Sequence, residues 1–325
     1  MKVLQYQSPN NPLWQDAPMP EPDKGQILIK VLGITTCPHW DLHIMDGEPM
    51  FPGGKLTYPY PPGQPGHEAT GEITAVGAGV ESLEPGMRIS AWRDQGQNRP
   101  GCYGQYAILD ADNVLQVPDW APERVASLEL AMCVQVSFDR LIALNAIKGK
   151  RFGISGLGPA GLIATQMARA HGAGEVIAID PIAERRELAT LLGADIAISP
   201  DELPNGRFAD TALDTAIDCT GLKVSIEFLM ARTCQIVSIF GVLRENITFG
   251  PQNWNRDFTL MGYGMHNRGA AERALNLIVK GEVNLSPLIT HTLPMTQYKE
   301  GVELLRNKEA IKVCFDPWGG VKESE

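Results

Sequence analysis

A glycine-rich segment near the middle of the chain has the spacing of a turn that binds a dinucleotide pyrophosphate. Its six residues are Gly156, Leu157, Gly158, Pro159, Ala160 and Gly161. In such a turn the first glycine permits the tight bend and the second lets the backbone approach the pyrophosphate. The third lets the following helix pack closely on the preceding strand. Free N–H groups at the helix N-terminus would then bind the phosphates.

The elements around this turn are those that a dinucleotide-binding unit requires. The pattern predicts a strand over 151–155, a helix over 162–171 and an apolar strand over 176–179 that ends at Asp180. Asp180 can accept hydrogen bonds from both ribose hydroxyls of adenosine and would repel a 2′-phosphate, which favours NAD over NADP. The alternative, a glycine-rich turn in another α/β protein, is disfavoured because the order of the elements also matches.

Three other residues have side chains that suit a metal ion. Cys37, His67 and Cys133 offer thiolate and imidazole ligands, which favour Zn²⁺. Three protein ligands with one open position are typical of a catalytic zinc site. From spacing alone the alternative stays open that the cysteines are small core residues and that His67 is a buried structural histidine.

Two kinds of pattern divide the chain. The first third predicts short strands broken by Pro and Gly, which indicates a small β-barrel-like domain; these strands are 26–31, 69–76, 88–92 and 106–109. A helical pattern follows over 122–144, and from residue 151 strands and helices alternate. The later strands are predicted at 195–198, 215–218, 235–240 and 258–263, with a helix over 270–279. Such alternation implies a parallel sheet covered on both faces.

The predicted fold class is therefore α/β with two domains. The tail from residue 288 returns to mixed strand and turn character, so we assign 1–121 and 288–325 to the first domain and 122–287 to the second. The residues from 46 to 65 are dense in Pro and Gly and predict an irregular loop. The aromatic side chains of this loop either shape a substrate pocket or lie on the surface.

Composition excludes several classes of partner. The 325 residues carry a net charge of −10 without a long basic run, which argues against nucleic acid. The six cysteines are scattered and form no CxxC pair, which favours reduced thiols in a cytoplasm. The N-terminus has no signal-peptide core, and no apolar stretch of about 18 residues predicts a membrane span.

The motifs together resemble the medium-chain, zinc-dependent alcohol and polyol dehydrogenases over nearly the whole chain. The matching segments are Cys37 with Asp41-Leu42-His43 and Gly47, then Gly66-His67-Glu68-Ala69 running into Gly71 and Val76-Gly77, then the glycine turn with Asp180. The resemblance implies a GroES-like β-barrel catalytic domain, a Rossmann cofactor domain and one catalytic zinc. It also implies NAD as cofactor and a homodimer or homotetramer formed through edge strands near 235–263.

The resemblance also implies roles for individual residues. Cys37 and His67 would bind zinc, and Glu68 would lie beside the metal and coordinate it during ligand exchange. The third ligand is a Cys or a Glu ahead of the first cofactor strand; we favour Cys133, with Glu129 as the alternative. The region 93–104 holds only Cys102, so no structural zinc is expected.

The proton relay departs from the family pattern. The family has a Ser or Thr two residues after the first ligand, whereas this chain has Pro38, His39 and Trp40 with one residue inserted. We assign the outer relay first to His43 and then to His39, for which a surface imidazole is the alternative. Asp41 is expected to accept from His67 and to set the tautomer of its ring.

Further cofactor contacts are expected at the ends of the strands. Arg185 either pairs with Asp180, covers the ribose or is a solvated charge, and Arg186 is expected to face solvent. The resemblance places two later turns along the nicotinamide half of NAD; their residues are Cys219, Thr220, Phe240 and Gly241. Cys219 is expected to be a neighbour of the cofactor rather than a nucleophile.

The predicted function is hydride transfer between NAD and a secondary alcohol, polyol or sugar-like substrate, or the matching carbonyl compound. One alternative is a zinc-free, NADPH-dependent reductase of quinones or enones on the same fold, which would not need Cys37, Glu68 or Asp180. Another is a non-catalytic dinucleotide-binding protein. The sequence does not choose the substrate, because one fold supports many functions.

Overall fold

The computed structural model describes residues 1–51, 53–255 and 257–319, and residue 52 of the predicted loop and the terminal residues 320–325 lie outside this part. The strands are β1 Lys2–Ser8, β2 Asn11–Asp16, β3 Gln26–Thr35, β4 Glu68–Val76, β5 Arg88–Ala91, β6 Tyr106–Asp110, β7 Val114–Gln116, β8 Arg151–Ser155, β9 Glu175–Ile179, β10 Ile196–Ile198, β11 Leu213–Asp218, β12 Thr233–Ile239, β13 Thr259–Met261, β14 Ile289–Pro294 and β15 Lys312–Asp316.

Seven α-helices and five short 3₁₀ helices complete the described elements. The α-helices are α1 Pro38–Asp46, α2 Leu128–Ala143, α3 Pro159–Ala170, α4 Ala183–Leu191, α5 Lys223–Met230, α6 Arg268–Val279 and α7 Tyr298–Arg306. The 3₁₀ helices are Ala111–Asn113, Pro122–Arg124, Pro200–Glu202, Ser286–Leu288 and Met295–Gln297. Within the described residues, every helix is too short or too polar to cross a bilayer.

The chain forms two compact units. The first contains Met1–Leu130 and Leu285–Glu325, and the second contains Ala131–Asn284. The sequence prediction placed these changes at residues 121 and 287 instead. The predicted helix over 122–144 begins only at Leu128, because Pro122 opens a separate 3₁₀ helix. The C-terminal tail lies in the first unit, and there α7 packs against β14 and β15.

The first unit is built on a seven-stranded, mostly antiparallel sheet. Its order is β14-β15-β3-β4-β5-β7, and β6 pairs with β3. The apolar strand β3 lies at the centre and pairs with β4, β6 and β15. Thr35, at the end of β3, lies opposite Glu68 at the start of β4 and opposite Cys314 in β15. This register brings the segments that contain Cys37, His67 and Lys312 to one end of the sheet.

The second unit is a six-stranded parallel sheet with the order β10-β9-β8-β11-β12-β13. This is the strand order of a doubly wound dinucleotide-binding fold, in which ligands bind at the carboxyl ends of the strands where the order reverses. Here the reversal lies between β8 and β11. The predicted fold class, a GroES-like unit joined to a Rossmann unit, is confirmed.

Candidate active site

A cluster of possible metal ligands lies in the first unit. One ligand atom each from Cys37, His67 and Glu68 lies within 4.8 Å of the others. Cys37 directly precedes α1, and His67 directly precedes β4, so the pairing of Thr35 with Glu68 places the thiol beside the imidazole. His67 is 7% exposed and Glu68 is fully buried. The predicted pair of Cys37 and His67 is therefore brought together.

His67 presents one ring nitrogen to this cluster. Its Nδ1 lies 2.8 Å from the carbonyl oxygen of Pro65, which fixes the ring with Nε2 facing the other way. Nε2 lies 3.8 Å from Oε2 of Glu129. Burial opposes protonation of His67, yet the hydrogen bond to Cys37 and the charge of Glu129 raise the pKa of the imidazole well above its usual value. Such a concentration of buried negative charge suits a bound cation.

The two residues predicted as alternatives for the third ligand lie on the same helix, α2. Glu129 is 6% exposed and lies in the first turn of α2, in the same unit as His67. Cys133 belongs to the second unit, where its Sγ lies 3.5 Å from Nε2 of His266. Glu129 therefore lies beside His67. The two candidates are one turn apart on α2, and the choice between them stays a prediction.

A buried lysine, which sequence reasoning missed, holds Glu68. Nζ of Lys312 lies 2.7 Å from both carboxylate oxygens of Glu68 and also donates to the carbonyl of Thr36. The hydroxyl of Thr35 donates to Oε2 of the same carboxylate at 3.0 Å. Lys312 and Glu68 are both fully buried. The available signal was a single charged side chain at the head of the apolar strand β15.

Asp41 has a different role from the one predicted. It does not set the tautomer of His67, whose Nδ1 faces a backbone carbonyl instead. Oδ2 of Asp41 accepts the backbone N–H of Cys37 at 2.8 Å, and Oδ1 accepts the hydroxyls of Tyr103 at 2.8 Å and Tyr298 at 2.6 Å. Burial raises the pKa of Asp41 to about 6, although the tyrosine hydroxyls act in the opposite direction. Asp41 therefore contacts the backbone of Cys37.

The two predicted relay histidines lie on α1 at different depths. His43 is half-buried, and its Nδ1 lies 3.2 Å from Oε2 of Glu48. His39 is exposed, and its ring centroid lies 6.0 Å from that of His43. Trp40 is the side chain of α1 that packs beside His67, and the centroids of the two rings lie 5.5 Å apart. The inserted residue thus places an indole beside the cluster.

The aromatic residues of the loop over 46–65 do not share one role. Phe51 is half exposed and packs edge-on against Trp40, with ring centroids 6.1 Å apart. Tyr60 is buried in the core of the first unit, and Tyr58 packs against that core. Of these three side chains, Phe51 is the one that packs on Trp40. A role in shaping a substrate pocket therefore stays a prediction for Phe51.

The glycine turn of the second unit has space for a phosphate group. Gly156 has a φ of +87°, a conformation that favours glycine. A Cβ on Gly161 would collide with the carbonyl oxygen of Gly156, so this glycine is required for the close approach of α3. A Cβ on Gly158 would meet no atom within 4 Å. The helix N-terminus at Gly158 is therefore open to a ligand, as the predicted pyrophosphate requires.

Asp180 lies beside the same turn at the end of β9. Its Oδ2 accepts the backbone N–H of Leu157 at 2.7 Å, and Oδ1 accepts that of Ile182 at 2.8 Å. Arg186 donates to the carbonyl oxygen of Asp180 at 2.8 Å, so the expectation that it faces solvent was wrong. Arg185 is half-buried on α4, and its cofactor role stays a prediction. The bonds to Asp180 join its carboxylate to the glycine turn.

The turns that follow β11 and β12 are joined by hydrogen bonds to Asp218. Its carboxylate accepts the hydroxyl of Thr220 at 2.7 Å and the N–H of Gly221 at 2.8 Å. Its main-chain oxygen accepts the N–H groups of Phe240 at 2.9 Å and Gly241 at 3.0 Å. These residues lie at the carboxyl ends of β11 and β12, where a doubly wound sheet binds ligands.

Burial raises the thiol pKa of two further cysteines, Cys102 and Cys219. All six cysteines of the chain are free of disulfides. Burial, helped by the charge of Asp218, raises the pKa of the Cys219 thiol well above its usual value, which disfavours a nucleophilic thiolate. Burial also raises the pKa of the Cys102 thiol to about 12.

Comparison with known proteins gives matches over most of the chain. A family model described as zinc-binding dehydrogenase matches residues 159–280, and the alcohol dehydrogenase GroES-like domain matches residues 23–119. L-threonine 3-dehydrogenase from Pyrococcus horikoshii is 31% identical, covering 91% of this chain and 92% of the relative. The corresponding enzyme from Bacillus licheniformis is 27% identical, covering 92% and 94%.

Solved structures share the architecture at lower sequence identity. Galactitol-1-phosphate dehydrogenase from Escherichia coli is 22% identical with a TM-score of 0.84, covering 98% of this chain and 100% of the other. The 2R,3R-butanediol dehydrogenase from Bacillus subtilis is 22% identical with a TM-score of 0.81, covering 97% and 99%. At this identity the similarity establishes the fold alone.

Proposed function

Because this chain belongs to the medium-chain zinc-dependent dehydrogenase family, we propose that it transfers hydride between NAD and a secondary alcohol, polyol or sugar-like substrate, or the matching carbonyl compound. The observation that supports this most strongly is the group of Cys37, His67 and Glu68, whose ligand atoms lie within 4.8 Å of one another, with the Glu129 carboxylate 3.8 Å from Nε2 of His67. Burial of His67 and Glu129 beside this thiol costs free energy without a cation, so a family member that had lost catalysis would have no physical reason to keep them together.

The proposed zinc ligands are Cys37, His67 and Glu129, with Glu68 beside them. One thiolate, one imidazole and one carboxylate are suitable donors for a catalytic site with an open position. Zinc held there would supply Lewis acidity, which lowers the pKa of a substrate hydroxyl and polarises a carbonyl. We propose one zinc per chain, since the 93–104 region holds a single cysteine, Cys102, where a structural zinc would need several ligands.

The surrounding side chains would orient the substrate and move its proton. The bond from His67 to Pro65 fixes the imidazole, and Lys312 fixes the carboxylate of Glu68. Trp40 and Phe51 give the site an aromatic wall for the carbon face of a substrate. No hydroxyl occupies the usual relay position, so we assign the outward proton transfer to His43, whose imidazole is partly exposed; His39 is the second candidate.

The second unit would bind the cofactor. The open helix N-terminus at Gly158 would accept the pyrophosphate, and Asp180 would accept the ribose hydroxyls. NAD would serve as the hydride acceptor. We place Arg185 near the adenosine, and the turns with Thr220 and Gly241 near the nicotinamide half. The edge strand β13 is our proposed contact between copies in a homodimer or homotetramer.

We expect Asp180→Asn to weaken the preference for NAD. The substitution removes the charge that repels a 2′-phosphate and one ribose acceptor, and a hydrogen bond to a charged group is worth about 1.5–3 kcal/mol. The ratio of kcat/KM for NAD to that for NADP should therefore fall by about 10-fold or more. Asp214→Asn is the matched control, because its carboxylate accepts the N–H of Arg151 at the other end of the sheet. An unchanged ratio in Asp180→Asn would refute this role.

Reduction of NAD by a substrate panel tests the proposed function. The panel contains 2,3-butanediol, galactitol 1-phosphate and L-threonine, which the names of the relatives and structural neighbours suggest, and sorbitol as a further polyol. Zinc-dependent NADH formation with at least one of these supports the proposal. Consumption of NADPH with a quinone, insensitive to chelators, would instead support the zinc-free reductase. Cofactor binding without turnover on either panel would support a non-catalytic protein.

A further inference from the structure

A buried series of hydrogen bonds links Tyr298 of α7 to Cys37, the first proposed metal ligand. The hydroxyl of Tyr6 donates to that of Tyr298 at 3.0 Å, and Tyr298 donates to Oδ1 of Asp41 at 2.6 Å. Oδ2 of Asp41 accepts the backbone N–H of Cys37 at 2.8 Å. Asp41 and Tyr298 are 1% and 2% exposed. These hydrogen bonds therefore connect the C-terminal segment of the protein to Cys37.

The geometry of α1 makes this link important for the position of the thiol. Cys37 is the N-cap of the helix, with φ −102° and ψ 103°, and Pro38 follows as the first helical residue. Asp41, the fourth helical residue, accepts the N–H of Cys37, a bond that the third helical residue makes in a capping box. The orientation of the Cys37 backbone, and with it the direction of Sγ, thus depends on where the Asp41 carboxylate is held.

Two tyrosines hold that carboxylate from its other oxygen. Tyr103 donates to Oδ1 at 2.8 Å, in addition to Tyr298. The ring of Tyr298 is itself fixed, because its centroid lies 5.1 Å from that of Tyr103 and 5.4 Å from that of Phe315. Removal of one hydroxyl therefore leaves the carboxylate with one fewer hydrogen bond and retains the aromatic ring that packs there.

We propose that Tyr298 is a positioning residue for the zinc site, acting through Asp41 to orient Cys37 toward the metal. This inference rests on the proposed function, since it takes Cys37 as a zinc ligand. A second contact between α7 and α1, from Arg306 to Asp46, is exposed and lies at the far end of the helix. It holds the helix but does not touch the N-cap, so the specific effect belongs to Tyr298.

The test compares zinc affinity and thermal stability in two tyrosine variants. Tyr298→Phe removes the hydroxyl that contacts Asp41. Tyr6→Phe is the matched control, because it removes a buried hydroxyl of the same cluster that contacts Tyr298 and not the carboxylate. Zinc affinity is measured by competition with a chromogenic chelator, and Co²⁺ substitution gives the thiolate-to-metal absorption band. If Tyr298→Phe does not fold, Tyr103→Phe is used in its place, because it removes the other hydroxyl that donates to Oδ1 of Asp41.

We expect zinc affinity to fall by about 10-fold in Tyr298→Phe, the lower end of the range for groups that orient metal ligands. The cobalt band should weaken or shift in the same variant. Tyr6→Phe should keep the zinc affinity and the intensity of the cobalt band within about 2-fold of the wild type. Its loss of thermal stability should be comparable to that of Tyr298→Phe. Equal zinc affinity in Tyr298→Phe and the wild type would overturn the positioning role. Failure of the wild type to bind zinc would instead overturn the proposed function, so the two failures are distinguishable.

Discussion

Glu129→Gln is expected to abolish stable zinc binding, whereas Cys133→Ser is expected to leave it nearly intact. Loss of a ligand costs more than loss of a group that orients one, so zinc affinity should fall by more than about 100-fold in Glu129→Gln. The activity of the protein should fall with it. The reason is the position of the Glu129 carboxylate, 3.8 Å from Nε2 of His67, while Cys133 lies against His266 in the other unit.

Zinc content after dialysis, measured together with turnover, checks this expectation. The two substitutions are matched, since they lie one turn apart on α2 and each replaces a buried ionisable side chain with a neutral polar one. We expect Cys133→Ser to keep its zinc and to retain activity within about 3-fold. Loss of zinc from Cys133→Ser, with Glu129→Gln unaffected, would restore the ligand set preferred from the sequence.

Lys312→Met is expected to be strongly destabilising. Lys312 and Glu68 are fully buried and form an ion pair with Nζ 2.7 Å from both carboxylate oxygens. Removal of one partner leaves an uncompensated buried charge, which costs about 3–5 kcal/mol in the free energy of unfolding. Chemical denaturation of the metal-free protein measures this loss. The double variant Lys312→Met with Glu68→Gln should be more stable than Lys312→Met, because it leaves no unpaired charge.

The matched control for this substitution is Lys2→Met. Lys2 also begins a strand and pairs with an aspartate, Asp16, but that aspartate is 87% exposed. An exposed pair of this kind contributes between about 0 and 1 kcal/mol. A similar loss in the free energy of unfolding in Lys2→Met and Lys312→Met would mean that burial does not determine the strength of the ion pair between Lys312 and Glu68. A double variant no more stable than Lys312→Met would mean that packing of the lysine stem, not charge, dominates.

The dinucleotide unit was predictable because its signals are local. The glycine turn, the strand before it and Asp180 lie within one short stretch, and each residue has a steric or electrostatic reason that does not depend on distant parts of the chain. The parallel sheet followed from the alternation of strands and helices. Helix α3 starts at Pro159, earlier than predicted, because proline is well suited to the first helical position.

The proposed metal site was only partly predictable because it depends on strand register and on where helix α2 begins. Cys37 and His67 were found from their residue types, but the partner of Glu68 comes from β15, far along the chain. No local pattern gives the pairing that brings Lys312 to Glu68. The choice between Glu129 and Cys133 likewise depends on the turn at which α2 begins, and helix boundaries are the least reliable part of a sequence prediction.

The role of Asp41 shows how one inserted residue changes a site. In the family pattern a hydroxyl residue follows the first ligand, and here Pro38, His39 and Trp40 separate Cys37 from Asp41. In α1 the carboxylate lies one full turn after Cys37 and accepts its N–H, while the ring of Trp40 takes the place beside His67.

The most direct test of the central proposal is elemental analysis of the wild-type protein purified without added metal. The ligand set of Cys37, His67 and Glu129 predicts about one zinc per chain, removed by a chelator together with activity. About two zinc ions per chain would show that a structural site also exists. A folded protein that holds essentially no zinc, before any chelator is added, would contradict the zinc mechanism and favour the zinc-free reductase.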